Sequence, residues 1–229
     1  MRFGTPTPRL PRSPLPAPRL VARKPMPPVE RSVVVGLGNP GEEYAKTRHN
    51  VGFDVLDLLA SRWGASFERS NLLTGIVATA APMGFPAARV RLVKPTTYMN
   101  LSGPAYARAL KVFESEVEGS LVVMDDFALD FGRLRFRAEG SSGGHNGLKS
   151  IEGALGTRTY PRLRIGIGPV PSGRDPADFV LSRYNSEERK ELPFLIASAA
   201  DAVETWLREG MSKAMEKHNR SGGDGSEGD

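Results

Sequence analysis

Three consecutive valines, Val33-Val34-Val35, run directly into Gly36-Leu37-Gly38-Asn39-Pro40-Gly41. A short β-branched run closed by glycine is the pattern of a strand buried on both faces. Such strands belong to parallel sheets covered by helices. The rest of the chain fits that choice. Val51, Val55, Leu58 and Leu59 recur at helical spacing and stop near Gly64. Strand-like runs follow at 74–80 and 88–93. A helix is expected over 103–113 with Ser102 as its N-cap. A second buried strand is expected at 121–124, an alternating charged and apolar strand at 133–137, and a further strand at 163–167. A glycine-rich loop, 140–147, leads into a short helix, and helices are expected over 175–182 and 186–209. Strands alternating with helices over 229 residues predict one α/β domain, with a twisted, mixed but mainly parallel sheet flanked by helices.

The glycines after the valines form a G-x-G-x-x-G, the pattern of a dinucleotide-binding turn. Its surroundings argue against that use. Glu42-Glu43 follow the third glycine and would set negative charge against a pyrophosphate. The helical stripe begins only near Asn50, too late for its N-terminus to reach a phosphate at the glycines. No strand ending in an acid follows about 20 residues later. A tight turn after a buried strand is the better reading, and a nicotinamide oxidoreductase remains as the rival.

Composition narrows the chemistry. The chain has no cysteine, which removes disulfides, thiolate nucleophiles and cysteine-ligated zinc. Its three histidines, His49, His145 and His218, lack a paired metal-ligand spacing, so no metal is expected. No G-x-S-x-G elbow is present. No apolar run approaches the roughly 18–20 residues of a membrane span, so no membrane partner is expected. The net charge of +5 is uneven. Residues 1–31 carry 7 Lys/Arg against 1 acid; residues 32–229 carry 24 against 25. Any nucleic-acid site on the body must therefore be a local patch. Residues 1–31, with nine prolines, read as a disordered arm, and 221–229 as a disordered acidic tail, leaving 32–220 as the domain. A targeting peptide is the alternative for the arm, and Met26 offers an alternative start. A cytoplasmic monomer is expected.

Several polar residues sit where strands should end. Asn39 follows the first strand, Asn100 the run before 103–113, and Asp125 the run 121–124. In open α/β sheets ligands bind beyond the carboxyl ends of the strands, so these three are expected to meet at one crevice. His145-Asn146 opens a helix after the glycine-rich loop.

The segments VGLGNPGEEYAKTRHNVGF, VKPTTYMNLSG, MDD, GGHNGLKS, RLRIGIG and WLREGMSKAMEKHN resemble those of bacterial-type peptidyl-tRNA hydrolases, from about Val33 to Asn219. The sequence departs from the family pattern at Ala128, where a further acid is common, and at Glu139, where glycine is common. The resemblance implies hydrolysis of the ester joining a peptide to tRNA, without cofactor. It implies His49 as the general base, Asp125 as its orienting acid and Asn39 as a group at the scissile ester. Asn100 and Asn146 would bind peptide, water or the tRNA end, and Tyr44, Tyr98 and Met99 would wall the cleft. Arg137 and Arg164 would grip the tRNA 5′ phosphate. Arg133, Arg135 and Arg137 alternate with Leu134 and Phe136, which places the three arginines on one strand face. His49 precedes a helix, whose dipole is expected to keep the imidazole neutral at pH 7. A member that binds RNA without turnover is the second rival.

Overall fold

The computed structural model describes residues 31–82 and 89–219. The expected acidic tail and all of the expected arm except Arg31 lie outside them. Arg31 instead begins the first strand, β1, Arg31–Gly36. Six more strands follow: β2 (Glu68–Arg69), β3 (Gly75–Ala80), β4 (Arg89–Pro95), β5 (Ser120–Asp130), β6 (Leu134–Glu139) and β7 (Thr159–Gly168). They form one sheet in the order β2-β3-β4-β1-β5-β7-β6. The central four strands, β4, β1, β5 and β7, pair in parallel. β2 and β3 add antiparallel pairs at one edge and β6 at the other, so the sheet is mixed with a parallel centre.

The valines of β1 explain the layers. Their side chains alternate across the sheet. Val34 joins a core with α1 (Val51–Arg62) and α5 (Ser186–His218). Val33 and Val35 join a second core with α2 (Ser102–Phe113) and α3 (Asn146–Leu155). All three valines are fully buried. The chain leaves β1 through α1 to build one side of the sheet and returns through α2 to build β5 on the other. The carboxyl end of β1 is therefore the switch point where a crevice opens. The remaining helix, α4 (Pro176–Val180), is capped by Asp175.

The glycine pattern serves packing. A Cβ on Gly36 would lie 2.5 Å from the carbonyl oxygen of Gly52, and one on Gly52 would lie 2.5 Å from that of Val123. The pair lets α1 begin in backbone contact with the strands beneath it.

Four expectations need correction. Ser102 is not an N-cap: it is the first residue of α2, and its buried hydroxyl has no hydrogen-bond partner in the protein. Asp125 does not follow its strand but lies inside β5, opposite Ile165. The apolar signal stops at Met124, whereas pairing with β7 carries the strand on through a register shift to Asp130. Arg133 lies outside β6, in the turn before it. The helix expected to stop at Glu209 continues past a break at Gly210 (φ 81°) to His218. None of the helices among the described residues is long and apolar enough to cross a membrane.

Candidate active site

Asn39, in the loop after β1, is fixed by a reciprocal pair with Asn50. Its backbone N–H donates to Asn50 Oδ1 at 2.8 Å, and Asn50 Nδ2 donates to the Asn39 carbonyl at 2.9 Å. The N–H of Met99, beyond β4, donates to Asn39 Oδ1 at 2.8 Å. Because that oxygen is taken, the amide has its Nδ2 protons to offer the cleft.

His49 sits in a 3₁₀ turn, Arg48–Asn50, immediately before α1. Its Nδ1 lies 2.9 and 3.0 Å from the two oxygens of Asp125, which is 1% exposed. His145 approaches the same carboxylate, with Nε2 3.1 Å from Oδ1. The other nitrogen of His145 caps α3: Nδ1 accepts from the N–H groups of Gly147 at 3.1 Å and Leu148 at 3.3 Å. An acceptor Nδ1 carries no proton in the neutral ring, so the proton is on Nε2 and points at Asp125. Asp125 thus accepts from both imidazoles. His49 must place its own proton on Nδ1, which leaves the Nε2 lone pair for the cleft that His49 lines.

The charges follow from this contact. Burial alone would raise the Asp125 pKa, but the two imidazoles outweigh it and hold the carboxyl well below the usual range. Burial would lower His49, and Asp125 outweighs it by charge and hydrogen bond, so the imidazole is raised above its ordinary value. This overturns the expected depression by the helix dipole. A dipole contributes about 0.3–1 kcal/mol at an exposed site, whereas a hydrogen bond to a charged group contributes about 1.5–3 kcal/mol. His49, Asp125 and His145 offer ligand atoms within 4.8 Å of one another, close enough to suggest a metal. The proton held on His145 Nε2 removes that nitrogen from the set, leaving two ligands.

The residues expected at the site separate into two cavities. The first, about 690 Å³, is lined by Asn39, His49, Tyr98, Met99, Asn100, Asp125 and Asn146. Its outer wall is α4 with Val180 and Leu181. Met99 is nearly buried and also joins the core on the α2–α3 side. Tyr44 is not among the lining residues; its ring meets that of Tyr98 edge-on at 6.3 Å. The second cavity, about 440 Å³, holds Arg137 and Arg164. Asp125, Phe127 and His145 line both cavities and form the partition between them.

Known proteins resemble this chain in sequence and in fold. The family model for peptidyl-tRNA hydrolase matches residues 33–225. The chain belongs to the peptidyl-tRNA hydrolase family. A peptidyl-tRNA hydrolase of Kineococcus radiotolerans is 49% identical over 190 residues, covering 81% of this chain and 95% of its own. One from Chloroflexus aggregans is 47% identical, covering 82% and 98%. The crystal structure of peptidyl-tRNA hydrolase from Acinetobacter baumannii superposes with a TM-score of 0.76 at 34% identity, covering 83% of this chain and 95% of that one. As a member of a peptidyl-tRNA hydrolase family, the chain is an enzyme rather than a fold shared by chance.

Sequence reasoning missed four participants. The sequence places His145 only at the mouth of a helix, Asn50 only near a helix start and Arg162 only beside Arg164 on an alternating strand, and it gives Asp126 no part of its own. Arg162 is 2% exposed and donates to the carbonyls of Gly140 at 2.8 Å, Ser141 at 3.2 Å and Arg158 at 3.0 Å, which ties down the glycine-rich loop. Asp126 is ion-paired with Arg164. A histidine at the first turn of a helix was the available signal for His145. The other partnerships join residues distant in sequence.

Proposed function

We propose that this chain hydrolyses the ester between the peptide and the terminal ribose of peptidyl-tRNA, by a water that His49 activates without metal. The observation that carries the reading is the chain of protons through Asp125. His145 can only donate to it, His49 donates from Nδ1, and the remaining basic atom in that chain, His49 Nε2, belongs to a residue of the cleft wall. Nε2 takes a proton from water, and the hydroxide adds to the ester carbonyl. The oxyanion accepts from Asn39 Nδ2, whose direction is set by the Met99 N–H on its other atom. The imidazolium, stabilised by Asp125, returns the proton to the departing ribose oxygen. Asn100 and Asn146 bind the peptide main chain or the tRNA end, and Tyr98, edge-on to Tyr44, closes the wall. Arg137 and Arg164 take the 5′ phosphate across the partition.

The test uses two substrates that differ only at the α-nitrogen. A buried hydrogen bond to the peptide amide rejects an analogue lacking it by up to about 10⁴–10⁵. N-acetyl-aminoacyl-tRNA should be hydrolysed rapidly in EDTA, and the same aminoacyl-tRNA with a free amine very slowly. Equal cleavage of both contradicts the proposal. Tight tRNA binding without cleavage supports the RNA-binding alternative.

A further inference from the structure

Arg48 precedes the proposed base by one residue and is 4% exposed, yet it does not line the cleft. Its Nη1 donates to the Ser182 hydroxyl at 2.7 Å and the Arg183 carbonyl at 2.6 Å, and its Nη2 is ion-paired with Glu188. The guanidinium lies 4.4 Å from the ring centre of Phe179 and 5.0 Å from that of Tyr184. The backbone repeats the link. Arg48 N–H donates to the Ser182 carbonyl at 3.1 Å, and Thr47 pairs with Arg183 in an isolated antiparallel bridge. Glu188 extends it, because its carboxylate also accepts from the Asn185 N–H in the capping box of α5.

All these partners lie between Phe179 and Glu188. That segment includes Val180, the last residue of α4, and Leu181 just after it, both of which line the cleft. A buried arginine is a poor choice for stability alone, since apolar side chains of similar volume often serve as well or better. A planar fork with fixed directions suits holding two segments at one spacing.

We infer that Arg48 is a positioning residue: it fixes the distance between His49 and the Val180–Leu181 wall, so that the wall can contact the side chain of the esterified amino acid. The inference rests on the hydrolase reading above. It makes Arg48 and Leu181 parts of one specificity device, coupled through the α4 segment.

The experiment compares N-acetyl-phenylalanyl-tRNA with N-acetyl-glycyl-tRNA for the parent, Arg48→Lys, Leu181→Ser and the double variant. The parent should favour the phenylalanyl substrate. Each single change should lower kcat/KM for that substrate about tenfold and for the glycyl substrate by less than about threefold, the pattern of a lost side-chain contact. The double variant should be no worse than the weaker single, because coupled residues are not additive. Ser182→Ala, which removes one contact of Arg48, should show the same coupling to Leu181→Ser if Arg48→Lys fails to fold. Independent, multiplying losses, or equal losses on both substrates, would overturn the inference. A parent that cleaves both substrates at equal rates overturns it while leaving the hydrolase reading intact. A parent that cleaves neither overturns both.

Discussion

Asp125 accepts from two imidazoles, and the two are not equivalent. His145 has its proton fixed by the α3 N-terminus, whereas His49 has one nitrogen committed to Asp125 and one for chemistry. The same carboxylate raises the His49 pKa, and the sign of a titration follows. A general base works unprotonated, so kcat/KM should rise with pH through a single group above 6.5. Asp125→Asn removes the charge that holds His49 up and leaves the burial that pushes it down. The midpoint should therefore move to lower pH, while the rate on the plateau falls by about 10²–10⁴ because the tautomer is no longer enforced. A pH–rate profile of the variant checks both effects, and a midpoint that stays in place would remove Asp125 from contact with the base. For stability the signs differ between the two groups. The raised His49 contributes below its unfolded pKa and loses that contribution as pH rises through the folded value. The depressed Asp125 contributes above the ordinary carboxylate range and loses it as pH falls through its folded value. The His49–Asp125 pair thus supports the fold most between those limits, on the acid side of where the base works. The placement of Asn39 and Asp125 at one crevice was legible because each closes an apolar strand-like run, whereas His49 was singled out through the resemblance. His145 was not legible, because its role depends on a contact to a residue 20 positions away.

The first helix and the strand before it meet through two glycines, and this contact answers what the G-x-G-x-x-G is for. A methyl group on Gly52 would sit 2.5 Å from the Val123 carbonyl and 2.6 Å from that of Leu37. Both are backbone in the buried centre and cannot step aside as a side chain tip would. Gly52→Ala should destabilise by about 1–3 kcal/mol, the usual range for overpacking. It should also lower kcat, because His49 stands three residues earlier in the turn that leads into the same helix and would move against Asp125. Thermal melting and turnover of one preparation measure both. Unchanged melting and rate would mean that α1 does not need the close approach. The elements that the sequence announced were those with a local cause: the valine strand, the α1 stripe and the start of α5 at Ser186. The extension of β5 past Asp126 carried no such sign, because its last pairing, Asp130 with Gly168, is a tertiary event. Ser102 misled for a related reason. The 3₁₀ turn Met99–Leu101 already feeds α2, which moves the helix start onto the serine itself.

On the proposed function the whole molecule binds a polyanion with a body whose charges nearly cancel, so location must replace quantity. Residues 32–229 carry 24 basic and 25 acidic side chains, yet Arg137, Arg162 and Arg164 gather at one cavity beside the proposed active site. They are not interchangeable there. Arg162 is committed to backbone carbonyls, and Arg164 is held by Asp126. Removing Arg164 would leave the Asp126 carboxylate facing an incoming phosphate, so its loss combines a missing donor with a new repulsion. Arg137→Ala should weaken tRNA binding by about 1.5–3 kcal/mol, the typical worth of a hydrogen bond to a charged group, and Arg164→Ala by more. Asp126→Asn, which lifts the opposing charge, should not weaken binding at all. The log–log salt slope should shrink by roughly one unit for each lost phosphate contact. An acyl ester on a short 3′ fragment without the 5′ phosphate should be hydrolysed at nearly parent rates by both arginine variants. Titrations of tRNA at several salt concentrations, with fragment hydrolysis in parallel, decide the matter. If the six basic residues before Met26 carried the affinity instead, deleting them would flatten the salt slope and Arg164→Ala would leave it unchanged. If fragment and full tRNA lost equally, the arginines would be supporting the partition with Asp125 and His145 rather than gripping a phosphate.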